Sequence, residues 1–195
     1  MGKQKYLNEV ESLFKKSPVV DFKSIERIVG KKSKKNNYAK LLIHGLLKKN
    51  KIKKLAKGYY SMHNESTLAV FCFKPAYLGL QASLSIHGLW EQEGIPVILT
   101  TKKVRIGIRK IMGSNVLIRN IAKKYFFGFE YLKENDFFFP YSDIEKTFID
   151  MVVYKQKISS EVLHEIKKKI TYNKIKEYLK HYPNMIKNKV WKLLG

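Results

Sequence analysis

The sequence predicts an α+β protein: an N-terminal winged helix-turn-helix over residues 1–62, then a mixed antiparallel sheet-and-helix domain over residues 63–195, with a basic helical tail from about residue 158. Three observations carry that reading. Apolar residues recur at helical spacing three times before residue 50, a short basic stretch with a glycine turn follows, and the apolar runs beyond residue 100 are short and bounded by turn residues. A chain of 195 residues has room for a small reader module and a larger body, and its 45% apolar and 13% aromatic content supplies a core that a disordered polyelectrolyte lacks.

In the first segment, Tyr6, Leu7, Val10, Leu13 and Phe14 fall three or four apart and predict a helix over 5–16. Ser17-Pro18 interrupts it. Asp21 is placed to cap a second, short helix carrying Phe22, Ile25, Ile28 and Val29, and Gly30 to stop it. After the basic turn 31–35, Ala39, Leu42, Ile43, Leu46 and Leu47 mark a third helix over 36–49 with Ser33 as its cap. Ile52, Leu55, Tyr59 and Tyr60 then flank Ala-Lys-Gly, which suits two short strands turning at Gly58. Helix, short helix, longer helix and basic hairpin is the order of a winged helix-turn-helix, whose last helix enters the major groove.

Further on, a helix is expected over 66–73, a turn at Lys74-Pro75, a helix over 80–87 ended by Gly88, and a buried strand over 96–100. The stretches 104–111, 116–122, 125–132 and 137–140 read as an antiparallel sheet. Ile144, Phe148, Ile149 and Val152 return to helical spacing, with Asp143 and Glu145 suited to that helix's first turn. Lysine-rich helices are expected over 162–170, 173–181 and after Pro183.

Charge sharpens the functional reading. The formal charge is +23, divided as +13 over residues 1–60, +2 over 61–154 and +8 over 155–195. Such an excess at both ends of a near-neutral middle suits a polyanionic partner, since solubility alone requires far less. The single cysteine, Cys72, sits in an apolar run, so it forms no intrachain disulfide and reads as a buried thiol. No apolar stretch approaches about 18 residues and no signal peptide opens the chain, so a cytoplasmic protein without a membrane partner is expected.

Several motifs resemble one family. Pro75-Ala76-Tyr77-Leu78-Gly79-Leu80, followed by Ala82-Ser83-Leu84 and His87-Gly88-Leu89, is similar to the middle signature of AbiEi-type antitoxins. Thr100-Thr101, Phe126-Phe127-Gly128-Phe129-Glu130, Ile144-Glu145-Lys146-Thr147-Phe148-Ile149-Asp150 and Lys57-Gly58-Tyr59-Tyr60 fit in the same order. The resemblance implies a bipartite transcriptional repressor of its own operon, the antitoxin of a type IV toxin–antitoxin system opposing a nucleotidyltransferase toxin. Direct binding to that toxin is not implied.

Candidate DNA-binding residues follow from the predicted third helix and hairpin. Lys34, Lys35, Asn36, Asn37 and Lys40 stand at the helix start, where side chains enter the groove. Asparagine can bond adenine through two atoms and lysine can reach guanine or phosphate, so Asn36, Asn37 and Lys40 are the expected base readers. Tyr38 is either a stacking or phosphate-holding residue or a core aromatic. Lys51, Lys53, Lys54 and Lys57 lie where phosphates would run. The partner is double-stranded operator DNA, whose site would contain inverted repeats if a dimer reads it.

No enzyme is expected, and no catalytic residue, metal site or cofactor. The five histidines, at 44, 63, 87, 164 and 181, form no HExxH or close pair. Gly107 and Gly113 are isolated, Ser83 and Ser85 lack a nucleophile elbow, and Glu165-Ile166-Lys167 falls on a helix. Two rivals stand beside the repressor: an RNA-binding or ribosome-associated basic protein, and a protein-interaction adaptor.

Overall fold

The computed structural model describes residues 2–30, 33–90 and 94–195, without the side chains of 2–5 and 33–36. The chain forms two compact units, Met1–Cys72 with Lys110–Ser114, and Phe73–Arg109 with Asn115–Gly195. Helices and sheets occur in both, so the α+β class stands.

The first unit runs α1 (Gly2–Lys16), β1 (Val20–Asp21), α2 (Phe22–Val29), α3 (Ser33–Lys48), β2 (Lys53–Ala56), β3 (Tyr59–Ser61) and a 3-10 helix (Ser66–Phe73). The residues at helical spacing are the buried ones. Val10 and Phe14, Ile25 and Val29, and Ala39, Ile43 and Leu46 form one core with Val20 and Ile52. The Asp21 carboxylate accepts the Ser24 amide at 2.7 Å, capping α2. Gly30, at φ 89°, donates its amide to Glu26 at 2.9 Å and ends the helix.

Three details differ from expectation. Ser33 is the first helical residue of α3 and not the residue before it. Val20 and Asp21 pair with Tyr60 and Tyr59, giving a three-stranded sheet in the order β1-β3-β2. A two-residue strand is too short to show alternation in sequence. Over 66–73 the helix is 3-10, and Leu68, Ala69 and Val70 are all fully buried, so no apolar stripe marks its period.

The remaining chain holds β4 (Ala76–Leu78), α4 (Gln81–Ile86), β5 (Val97–Thr100), β6 (Gly107–Ile111), β7 (Ser114–Asn120), β8 (Phe129–Glu134) and β9 (Phe137–Ser142). It continues with α5 (Ile144–Val153), α6 (Ser160–Lys169), α7 (Tyr172–Leu179) and α8 (Asn184–Leu194). The strands form one sheet in the order β6-β7-β5-β4-β9-β8.

This sheet corrects the antiparallel expectation. Pairs β4·β5 and β8·β9 are antiparallel, whereas β4·β9 and β5·β7 are parallel. Every residue of the central strands β4 and β5 is buried. Strands covered on both faces read as unbroken apolar runs, which announces a buried strand without its neighbours or direction. β4, only three residues long, is too short for its apolar run to stand out within the Pro75–Leu80 stretch.

The lysine-rich tail is not a loose appendage. Ile166, Ile170, Ile175, Leu179, Tyr182, Ile186, Val190 and Leu194 join Tyr77, Leu84, Leu99, Phe148 and Ile149 in one core. Among the described residues, no helix is long and apolar enough to cross a membrane.

Candidate nucleic-acid interface

α3 has two unlike faces. Ala39, Ile43 and Leu46 point into the core, while Asn37, Lys40, Leu41, His44 and Lys48 are exposed. At 100° per residue the exposed five fall on one side of the helix. No acidic residue occurs anywhere along α3.

The chain passes directly from this helix into a hairpin. Lys51 donates its amide to Leu46 at 3.0 Å, and β2 follows within two residues. On β2, Lys53 and Lys54 are exposed while Leu55 is buried, and Lys57 stands exposed in the turn before β3. The turn needs Gly58 at φ +78°. Its carbonyl accepts the Phe22 amide at 2.8 Å, holding the hairpin to the start of α2.

The sequence-expected contacts divide accordingly. Asn37, Lys40, Lys53, Lys54 and Lys57 are all solvent-facing in the first unit. Lys51 is exposed, but its ammonium lies 2.7 Å from the Glu11 carboxylate, which competes with any phosphate for it. Tyr38 is half-buried against the core and meets Tyr6 edge-on at 6.1 Å between ring centres, which favours the core-aromatic reading. The side chains of Lys34, Lys35 and Asn36 lie outside the described residues, although the backbone of all three is within α3.

Leu41, His44 and Lys48 share the exposed face and were not singled out from sequence. The available signal was their spacing of three, four and seven from Asn37 or Leu41, which places them beside the chosen residues. Leu41 is apolar yet stands on this face. It is 66% exposed.

Electrostatics in this unit centre on Asp21. Burial pushes its carboxyl up, but the Ser24 hydrogen bonds, with Arg27 and Lys23 nearby, outweigh that and hold it below the usual carboxylate range.

In the second unit, the motif residues converge. Lys146 bonds Asp150 across one turn of α5, and the Tyr77 hydroxyl donates to the other Asp150 oxygen at 2.7 Å. The rings of Tyr77, Phe127 and Tyr182 surround the Lys146 ammonium at 5.5–5.9 Å. Burial pushes Lys146 down and Asp150 up, each opposed by the other's charge. With both side chains sealed from solvent, this cluster organises the core and offers no binding surface. Glu145, expected as a first-turn charge, is likewise buried and pairs with Lys174 at 3.1 Å. Asp143 caps α5 by accepting the Lys146 amide at 2.7 Å. Among the described residues, no three His, Cys, Asp or Glu side chains gather as a metal-holding group.

A solved structure shares this fold. The RV2827C protein from Mycobacterium tuberculosis superposes with a TM-score of 0.61 over 97% of this chain and 76% of that chain, at 11% identity. The likeness is one of architecture. No protein-family model matches the sequence, and no curated protein matches it either.

Proposed function

We propose that the chain is a sequence-specific double-stranded DNA-binding repressor, with α1–α3 and the β2–β3 hairpin acting as a winged helix-turn-helix. One observation carries the reading. An acid-free helix face bearing Asn37, Lys40, His44 and Lys48 leads straight into a hairpin bearing Lys53, Lys54 and Lys57. The helix face has the donors and acceptors that base edges require, and the hairpin lysines are point charges for the flanking phosphates. Binding, and not catalysis, is the activity this arrangement supports.

The motif resemblance to AbiEi-type antitoxins extends the proposal to autoregulation opposite a nucleotidyltransferase toxin. A nucleotidyltransferase gene adjoining this one is the corresponding expectation. A single reading frame with no such neighbour would leave a solitary regulator.

A second reading has its own support. Tyr131 and Phe138 are 58% and 60% exposed on the β8–β9 hairpin, and Lys133 pairs with Phe138 on the same face. Exposed aromatics beside a lysine suit the stacking of unpaired bases.

Filter binding to duplex DNA and to single-stranded RNA at two salt concentrations separates the two. The repressor reading expects duplex preference. With about five phosphates neutralised, log affinity should fall against log salt with a slope of roughly −4 to −5. Preference for RNA that Tyr131→Ala or Phe138→Ala abolishes would replace the repressor reading with the second one.

A further inference from the structure

We infer that Leu41 is a specificity-determining residue that packs against the C5-methyl group of a thymine, within two base pairs of an adenine read by Asn37. The inference rests on the duplex-reading proposal and adds what the site must contain.

An exposed leucine by itself asks for no explanation. The setting of Leu41 does. It stands at 66% exposure on the one face of α3 that is otherwise Asn37, Lys40, His44 and Lys48, with no carboxylate along the helix. A polar or charged residue there would serve solubility and phosphate binding better. In the major groove, however, the thymine methyl is the one apolar feature a base pair presents, and an apolar side chain is its complement.

Geometry limits where that thymine falls. Asn37 and Leu41 are four residues apart, about 6 Å along the helix axis. Base pairs stack at about 3.4 Å. A helix lying along the groove therefore brings the two side chains to base pairs no more than two steps apart.

Gly45, one turn beyond Leu41, is half-buried and lines with it a shallow pocket whose other walls include Leu7, Glu11 and Tyr38. Nothing lies within 4 Å of where its β-carbon would stand, so no packing in the first unit requires a glycine. Glycine inside a helix is nonetheless unfavourable relative to alanine. A helix that omits the side chain beside Leu41 allows a groove wall to come closer at that edge. The charge of the surrounding face selects a polyanion over a second copy of this basic chain as the approaching surface.

The test begins with the full chain and a random duplex pool, from which bound sequences are enriched. Each thymine of the enriched site is then replaced by deoxyuridine, which removes only the C5-methyl group. One replacement should weaken wild-type binding about fourfold, the worth of one buried methyl. The same replacement should leave Leu41→Ala binding unchanged, while a Lys54→Ala control keeps the wild-type response. An enriched site whose thymines all tolerate uracil overturns the inference and leaves the repressor reading intact. Failure to enrich any duplex overturns both. Loss of self-association in Leu41→Ala, together with uracil tolerance, would place Leu41 between copies of this chain instead.

Discussion

Lys146 and Asp150 form an ion pair one turn apart on α5, with side-chain exposures of 0% and 1%. Neither charge reaches water, so the pair survives by being mutually compensated and by the Tyr77 hydroxyl bond at 2.7 Å. The close backbone approach at Gly128, φ +67°, belongs to the same arrangement. A β-carbon there would stand 2.9 Å from both the Lys146 β-carbon and the Tyr178 ring.

Removing one partner should therefore cost far more than removing the cluster. Lys146→Met leaves Asp150 buried and uncompensated, and is expected to destabilise the chain by about 3–5 kcal/mol in urea unfolding. The triple variant Lys146→Met/Asp150→Leu/Tyr77→Phe creates no newly orphaned polar atom and should recover most of that loss. A triple variant as unstable as the single one would show that the aromatic box requires the cation.

The cap at Asp21 should be separable from the exposed face of α3. Asp21→Ala removes the acceptor for the Ser24 amide and is expected to cost about 1 kcal/mol. Because the folded Asp21 carboxyl lies below its usual range, its stabilisation is present above that range and disappears as pH falls through the lowered folded value. Melts of wild type and Asp21→Ala should differ at pH 7 and converge in strong acid. A difference that persists there would mean the carboxylate's charge is not the source.

Gly45→Ala is expected to act in opposite directions on folding and on binding. The space at that position is open, so alanine should stabilise the chain by about 0.5–1 kcal/mol through helix propensity alone. Duplex affinity should fall, since the added methyl lies beside Leu41. Thermal melting and filter binding on one preparation measure both effects, and unchanged affinity would remove Gly45 from the interface.

The salt response should distinguish free lysines from the paired one. Lys53→Ala and Lys54→Ala should each reduce the magnitude of the log–log salt slope by roughly 0.9. Lys51→Ala should leave it nearly unchanged, because the Glu11 carboxylate at 2.7 Å already holds that ammonium. Equal slopes for all three variants would mean that Glu11 releases Lys51 to the duplex.

Local signals were legible wherever a residue's role depends on near neighbours in sequence. The 3.6-residue spacing of Val10 and Phe14, or of Ala39, Ile43 and Leu46, identified buried faces. Asp21 and Gly30 bounded α2, and Gly58 marked the hairpin turn. By the same logic Asn37, Lys40, Lys53, Lys54 and Lys57 were recognisable as solvent-facing.

Tertiary structure decided what depends on distant partners. No local pattern tells β4 that it runs parallel to β9 and antiparallel to β5, because backbone hydrogen bonds to either neighbour satisfy the same buried strand. The Lys51 ammonium is held by Glu11, forty residues away, a partner that no local pattern announces. Lys146 and Asp150 carry charge in a stretch that reads as amphipathic, and only the convergence of Tyr77, Phe127 and Tyr182 seals them in. Hydrophobic period and capping chemistry are encoded within a turn or two of chain, whereas pairing and desolvation are settled by what the folded chain brings alongside.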